Sequence, residues 1–288
     1  MSAPVRLSLP TGAPQPLPVR FIAVLARWLR PRRARARRSG TAIMPRAGQL
    51  AVWLPAAAAL VVLTMFLVDA HGVAAAHRLP LSVIEVFNDI TDYGQSHWFL
   101  VPLAAIIMVA AMLVTPATGR LTYLVLTSLV IRLEFIFAAI AVPGLFVTVV
   151  KRLIGRVRPS ELGAFAYMPW SWRPDYASLP SGHATSAFAA AVAIGAVWPR
   201  ARIPMWVFAA VIALSRVVIT AHFVSDVVAG GVVGAIGALL MRKWFASRGL
   251  VFIAEPDGSV RRKPGPSWGL LKSVAARLFS RHQARETA

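Results

Sequence analysis

From Leu50 to Val68 the chain runs for 19 residues without a formal charge, and almost all of them are apolar. A bilayer core takes about 20 apolar residues of helix to cross. Similar runs follow at Trp98–Val114, Leu133–Val150, Ala184–Trp198, Met205–Val218 and Val227–Met241. Hydrocarbon offers backbone amides no partner, so only helices or a closed barrel cross it, and continuous apolar runs rather than alternating ones select helices. The runs predict an all-α integral membrane protein with six transmembrane helices. Composition agrees, since 57% of residues are hydrophobic and only 15% charged, outside the range of a soluble domain.

The placement of charge predicts the orientation. The chain carries a formal net charge of +20, which raises the possibility of nucleic acid. Yet 10 Lys/Arg precede the first apolar run and 10 follow from Arg242 onward. Basic flanks around apolar spans are what topology selection and anionic headgroups produce, so a nucleic-acid partner is set aside in favour of the bilayer. With the turns at Arg120 and at Arg200–Arg202, 23 of the 31 Lys/Arg fall on one side, which predicts both termini in the cytoplasm. Residues 1–48 read as a basic, largely disordered arm, retained because its apolar run lies too far in for a signal peptide. Residues 49–245 read as the membrane domain and 246–288 as a basic cytoplasmic tail. Asp69 to His97, acidic and nearly free of Lys/Arg, reads as an outer loop with a short interfacial helix between the first two spans. Arg132 and Glu134, two apart in a long apolar run, do not face each other and are expected to pair elsewhere. With no cysteine, disulfides and thiol chemistry are excluded.

Three polar clusters interrupt the apolar pattern, and the topology puts all three on the outer side. In Ser215-Arg216 through His222 to Asp226, a helix would bring His222 and Asp226 to one face. The carboxylate can then orient the imidazole. A regular helix would aim Arg216 elsewhere, so a break near residues 217–221 is expected, or an arginine that curls back. In Pro180-Ser181-Gly182-His183, Ser181 suits an N-cap, and the free amides after it suit an anion. Lys151 and Arg158, read as two turns apart on one helical face that Pro159 ends, supply two cations suited to phosphate. Arg152 and Arg156 read as surface charge. Aromatic residues between 165 and 176 read as an interfacial belt.

Taken in order, Lys-x6-Arg-Pro, Pro-Ser-Gly-His and Ser-Arg-x5-His-x3-Asp resemble the signature of the type 2 phosphatidic acid phosphatase and vanadium haloperoxidase superfamily, with every position filled. The resemblance implies that His222 attacks phosphorus to form a phosphohistidine oriented by Asp226. It implies that His183 protonates the leaving oxygen, and that Lys151, Arg158, Ser181, Gly182 and Arg216 hold the phosphate oxygens. That scheme requires no metal or other cofactor, and the cations around His183, His222 and Asp226 argue against a metal there.

The soluble haloperoxidase branch does not fit six apolar spans. The leading expectation is a lipid phosphatase of a bacterial inner membrane with its site facing the periplasm. A lipid phosphotransferase using the same site and a non-catalytic lipid or anion transporter remain as alternatives. Phosphatidic acid, phosphatidylglycerophosphate, undecaprenyl diphosphate and lipid A phosphate are all open as substrates, with specificity expected in the segments 69–97 and 160–178.

Overall fold

The computed structural model describes residues 47–114, 118–159, 165–255 and 257–286. The N-terminal arm therefore lies outside the described residues, apart from its last two positions. Helix α1 spans Ala47–Leu67 and α2 Asp69–Ala76, while α3 spans Leu81–Asp92 and α4 His97–Leu113. Helix α5 spans Arg120–Ile154, α6 Gly182–Val197, α7 Arg202–Val218 and α8 Val224–Ser247. A short antiparallel hairpin of β1 (Phe252–Ala254) and β2 (Val260–Arg262) follows, and then α9 (Trp268–Glu286).

Each of the six apolar runs lies within or largely within a helix. Four helical stretches among the described residues are long and apolar enough to cross a membrane: Leu81–Leu113, Arg120–Ile154, Pro199–Val218 and Val224–Ser247. The pair α1 and α2, bent by 51° between them, makes a fifth if counted as one. Helix α6, at 16 residues, is apolar but shorter. The outward faces are bare hydrocarbon, with Phe66 67% and Leu145 69% exposed. Such faces suit acyl chains and would be unstable in water.

Helix α6 is the centre of the bundle and packs against α5, α7 and α8. Small residues make this possible: Ala184, Ala187, Ala190 and Ala193 are fully buried, and backbones of neighbouring helices come close over them. On α8, a Cβ at Gly234 would stand 2.2 Å from the Thr185 carbonyl oxygen, and one at Gly230 2.4 Å from that of Ser181. These two positions let α8 reach the start of α6, where the Ser181 amide donates to the Asp226 carbonyl at 3.0 Å.

Three expectations change. The long helix α5 ends at Ile154, not at Pro159, because Gly155 takes the left-handed conformation (φ 64°) and caps it. A Cβ at Gly155 would meet the Met168 carbonyl at 1.8 Å. Lys151 is therefore helical and Arg158 lies beyond the cap, so the two do not share a helical face. The chain past residue 245 does not leave the core at once: α8 continues to Ser247, and Phe252 is fully buried, edge-on to Phe135 with centroids 4.9 Å apart. Arg132 is held by that same C-terminal segment, donating to the carbonyls of Lys263 (3.1 Å) and Pro264 (2.9 Å) and to Ser128. It does pair away from Glu134, whose carboxylate oxygens are buried with no hydrogen-bond partner among the described residues.

Replacing Gly234 by Ala drives a methyl group into the Thr185 carbonyl. A loss of about 1–3 kcal/mol, typical of overpacking, is expected as a lowered thermal midpoint in detergent. An unchanged midpoint would show that the α6–α8 contact has slack.

Candidate active site

The break expected before His222 is present. Helix α7 ends at Val218, Thr220 adopts a positive φ of 51°, and the amides of Ala221 and His222 both donate to the Arg216 carbonyl at 3.1 Å. This tight reversal returns the chain so that Arg216 and His222 serve one site. His222 thus precedes α8 and is not a helical residue, whereas Asp226 stands in the first turn of that helix. Its Oδ2 accepts from the Phe223 amide at 3.0 Å and caps the helix.

The pairing of His222 with Asp226 differs from a direct hydrogen bond. Nδ1 of His222 and Oδ2 of Asp226 are 3.7 Å apart, beyond hydrogen-bond range. The Ser178 hydroxyl stands beside both, donating to Asp226 Oδ2 at 2.5 Å with its oxygen 3.4 Å from His222 Nδ1. Asp226 acts on the imidazole through its charge and through this hydroxyl. Because Nδ1 faces Asp226 and Ser178, Nε2 is the nitrogen left for other work. His222 is only 4% exposed. Burial, first of all, holds its imidazole below the ordinary value near 6.5; Asp226 opposes the shift, and Arg216 and Arg158 reinforce it.

Around this pair stand the other residues singled out in the sequence. His183 lies within electrostatic reach of Arg216, His222, Arg158 and Lys151, and Arg216 within that of Arg158. Ser181 is the N-cap of α6, accepting from the Ala184 amide at 3.5 Å. A Cβ at Gly182 would meet no atom within 4 Å, so the first turn of α6 opens onto free space. The backbone at Arg158 is tied down, its amide donating to the Asp175 carbonyl at 2.9 Å. The Nε–H groups of Arg158 and Arg216 are buried and have no hydrogen-bond partner among the described residues. Two orphaned guanidinium donors beside two histidines form a set suited to an oxyanion.

Sequence reasoning missed several residues. Arg156, read as surface charge, is fully buried. Its Nη1 donates to Asp226 Oδ1 at 2.7 Å and to Ser225 Oγ at 2.7 Å, and its Nη2 to Asp69 Oδ2 at 2.8 Å. Its guanidinium also lies 4.2 Å from the centroid of the Phe223 ring. Asp69, read as part of an exposed acidic loop, is 1% exposed and also accepts from the Ser225 amide at 2.9 Å and its hydroxyl at 2.6 Å. Arg152, by contrast, is half-buried and donates to the Trp172 and Arg173 carbonyls. Thr91 of α3 receives the Arg216 Nη1 donor at 2.8 Å and lies 2.9 Å from the buried Ser215 hydroxyl. Ser215 therefore supports Arg216 and does not join His222. One signal was available: Asp69 is the first charge after the apolar run Leu50–Val68, and a carboxylate at a span's edge calls for a buried partner.

A PAP2 superfamily model matches residues 133–250. The lipid A 1-phosphatase of Rhizobium johnstonii is 30% identical over 236 residues, covering 78% of this chain and 91% of the relative. The lipid A 1-phosphatase of Rhizobium etli is 31% identical over 210 residues, covering 69% and 86%. Among solved structures, a transmembrane PAP2-type phosphatidylglycerolphosphate phosphatase from Bacillus subtilis aligns with a TM-score of 0.42 and 21% identity, over 81% of this chain and 94% of that one.

The two leftover arginines should separate cleanly by mutation. Arg156→Leu strands two buried carboxylates and is expected to cost about 3–5 kcal/mol of stability. Arg152→Ala, which removes two bonds to carbonyls from a half-buried position and strands no charge, should cost about 1 kcal/mol or less. Thermal denaturation of both in the same detergent checks this, and equal midpoints would refute the burial of Arg156.

Proposed function

The chain belongs to the PAP2 superfamily, as a membrane lipid phosphatase of that type, and from this premise we propose that it removes phosphate from a lipid through a phosphohistidine on His222. The observation that carries the reading is the convergence on one spot of His222, His183 and the orphaned Nε–H groups of Arg158 and Arg216.

The neutral imidazole of His222 uses the Nε2 lone pair to attack phosphorus, and a P–N bond forms as the P–O bond to the lipid breaks. His183, as imidazolium, gives its proton to the leaving oxygen. The same ring, now neutral, takes a proton from a water whose oxygen attacks phosphorus. The P–N bond breaks, its electrons return to His222, and inorganic phosphate leaves. Lys151, Arg158 and Arg216 offset the charge that spreads over the equatorial oxygens, and the amides at Gly182 and His183 add the positive end of α6. Asp226 offsets the positive charge that His222 acquires as it bonds phosphorus. No metal is required by these steps.

In this reading the chain crosses the membrane six times, through α1 with α2 and then α4 to α8, with α3 at the interface and both termini inside, and the site opens at the outer face. The basic flanks and the acidic segment after Asp69 support that orientation. In a bacterium the outer face is the periplasmic side of the inner membrane. Among the four candidate lipids, the two curated relatives favour the lipid A phosphate.

The test is inorganic phosphate release from lipid A, phosphatidic acid, phosphatidylglycerophosphate and undecaprenyl diphosphate, by purified protein in detergent with EDTA. Release by wild type, greatest from lipid A, is expected. His222→Ala should give none while keeping the wild-type thermal midpoint, and Arg158→Ala should lower kcat/KM by about 10- to 1,000-fold. Activity in His222→Ala would sink the nucleophile assignment. Loss of lipid phosphate only when a lipid acceptor is supplied would favour the phosphotransferase.

The acidity of His222 adds a pH prediction. Its neutral form is the reactive one, and its proton affinity is held below the usual 6.5. Activity should therefore persist as pH falls through 6.5, with the acid limb of kcat/KM that belongs to His222 lying below that value. A His222-dependent limb above 6.5 would contradict the burial of the imidazole as a neutral group.

A further inference from the structure

The cluster behind His222 contains one buried cation and two buried anions, and the mechanism uses only one of the three. Arg156 is held by Asp226 on one side and by Asp69 on the other, at 2.7 and 2.8 Å, and all three side chains are 0–1% exposed. In a one-to-one pair, Arg156 would neutralise Asp226 and compete with His222 for its charge. Shared between two carboxylates, the guanidinium leaves the cluster with a net charge of −1. Asp226 Oδ1 is then engaged by Arg156, while Oδ2, which also accepts from the Phe223 amide, faces Ser178 and His222. Asp69 contributes this balance through Arg156, and it is fixed in place by the Ser225 amide and hydroxyl.

Resting on the assignment of His222 as nucleophile, we infer that Asp69 is a positioning residue for the reaction. Through Arg156 it keeps Asp226 available as the counter-charge that the phosphorylated, positively charged His222 requires. The charged and titratable groups facing His222 are Asp226 on α8, Arg216 on α7, Arg158 in the loop after α5, and His183 on α6. Asp69 acts on this set from α2, behind Asp226. Loss of one negative charge there makes imidazolium harder to form, which lowers both the reactivity of His222 and its proton affinity.

Asp69→Asn removes that charge with little change of shape. The expected result is a kcat lower by about 10- to 100-fold, as for other residues that orient a reacting group, with KM within about 2-fold of wild type. The His222-dependent acid limb of kcat/KM should also move to lower pH. The lipid's own phosphate titrates identically in every variant, so the shift between variants is the quantity read. If Asp69→Asn does not fold, two double variants carry the test, because each removes the stranded guanidinium. Asp69→Asn with Arg156→Lys leaves the cluster at zero charge and should show the lowered limb. Asp69→Asn with Arg156→Gln restores −1 and should show the wild-type limb. A limb at the wild-type position in both zero-charge proteins, or a wild-type kcat in Asp69→Asn, would overturn the inference. His222→Ala run alongside separates the two levels. If it retains activity, the nucleophile assignment itself fails; if it is inactive while Asp69→Asn behaves as wild type, only the role of Asp69 fails.

Discussion

Everything at the reactive end of the bundle depends on one buried arginine. Arg156 joins three parts of the chain that are far apart in sequence: Asp69 at the start of α2, Ser225 and Asp226 in the first turn of α8, and its own loop after α5. Taking a guanidinium and two carboxylates out of water is costly, and the cost is offset only if the hydrogen bonds are complete and the geometry is held. Here each carboxylate is met by further donors, from Ser178 and the Phe223 amide on Asp226 and from Ser225 on Asp69. A cluster of this kind tolerates one arrangement, which gives it the rigidity that a reacting histidine needs.

The frame that holds this cluster is made of small residues. Helix α8 reaches the start of α6 because glycine stands where any side chain would strike a carbonyl, and the Ser181 amide can then bond the Asp226 backbone. That contact sets the capped end of α6, with Gly182 open in front of it, beside the histidine that α8 carries just before its first turn. From the other side α3 supports the site: Thr91 receives Arg216, and the Ser215 hydroxyl stands against it. Arg158 and Arg216 lie within electrostatic reach of His222, and the carboxylates of Asp226 and Asp69 are held by Ser178, Ser225 and Arg156. In the proposed reaction the phosphate would meet those cations, and the developing imidazolium the charge of Asp226.

Legibility in the sequence follows the range of the interaction. The six apolar runs, the break before His222 and the N-cap at Ser181 were visible because each depends on neighbours within a few positions. The helix end at Gly155 was also local and was overlooked: Pro159 drew attention, yet a glycine in the left-handed region stops a helix sooner. Arg156 and Asp69 were misread for a different reason. Nothing adjacent to Arg156 marks it as buried, and for Asp69 the one local hint was its place at the edge of an apolar run. Their partners lie 70 and 87 positions from Arg156.

The sequence by itself determined that the chain is a helical membrane protein carrying a phosphate-handling set of residues. Apolar length, the placement of basic flanks and the spacing of three polar clusters are one-dimensional properties. The tertiary structure alone decided which charges are buried together: that Ser178 stands beside both His222 and Asp226, that Lys151 and Arg158 sit on two different elements, and that Arg156 is shared by two carboxylates. A side chain's solvation and its partners are set by the packing of helices against one another, and that packing has no signature at any fixed spacing along the chain.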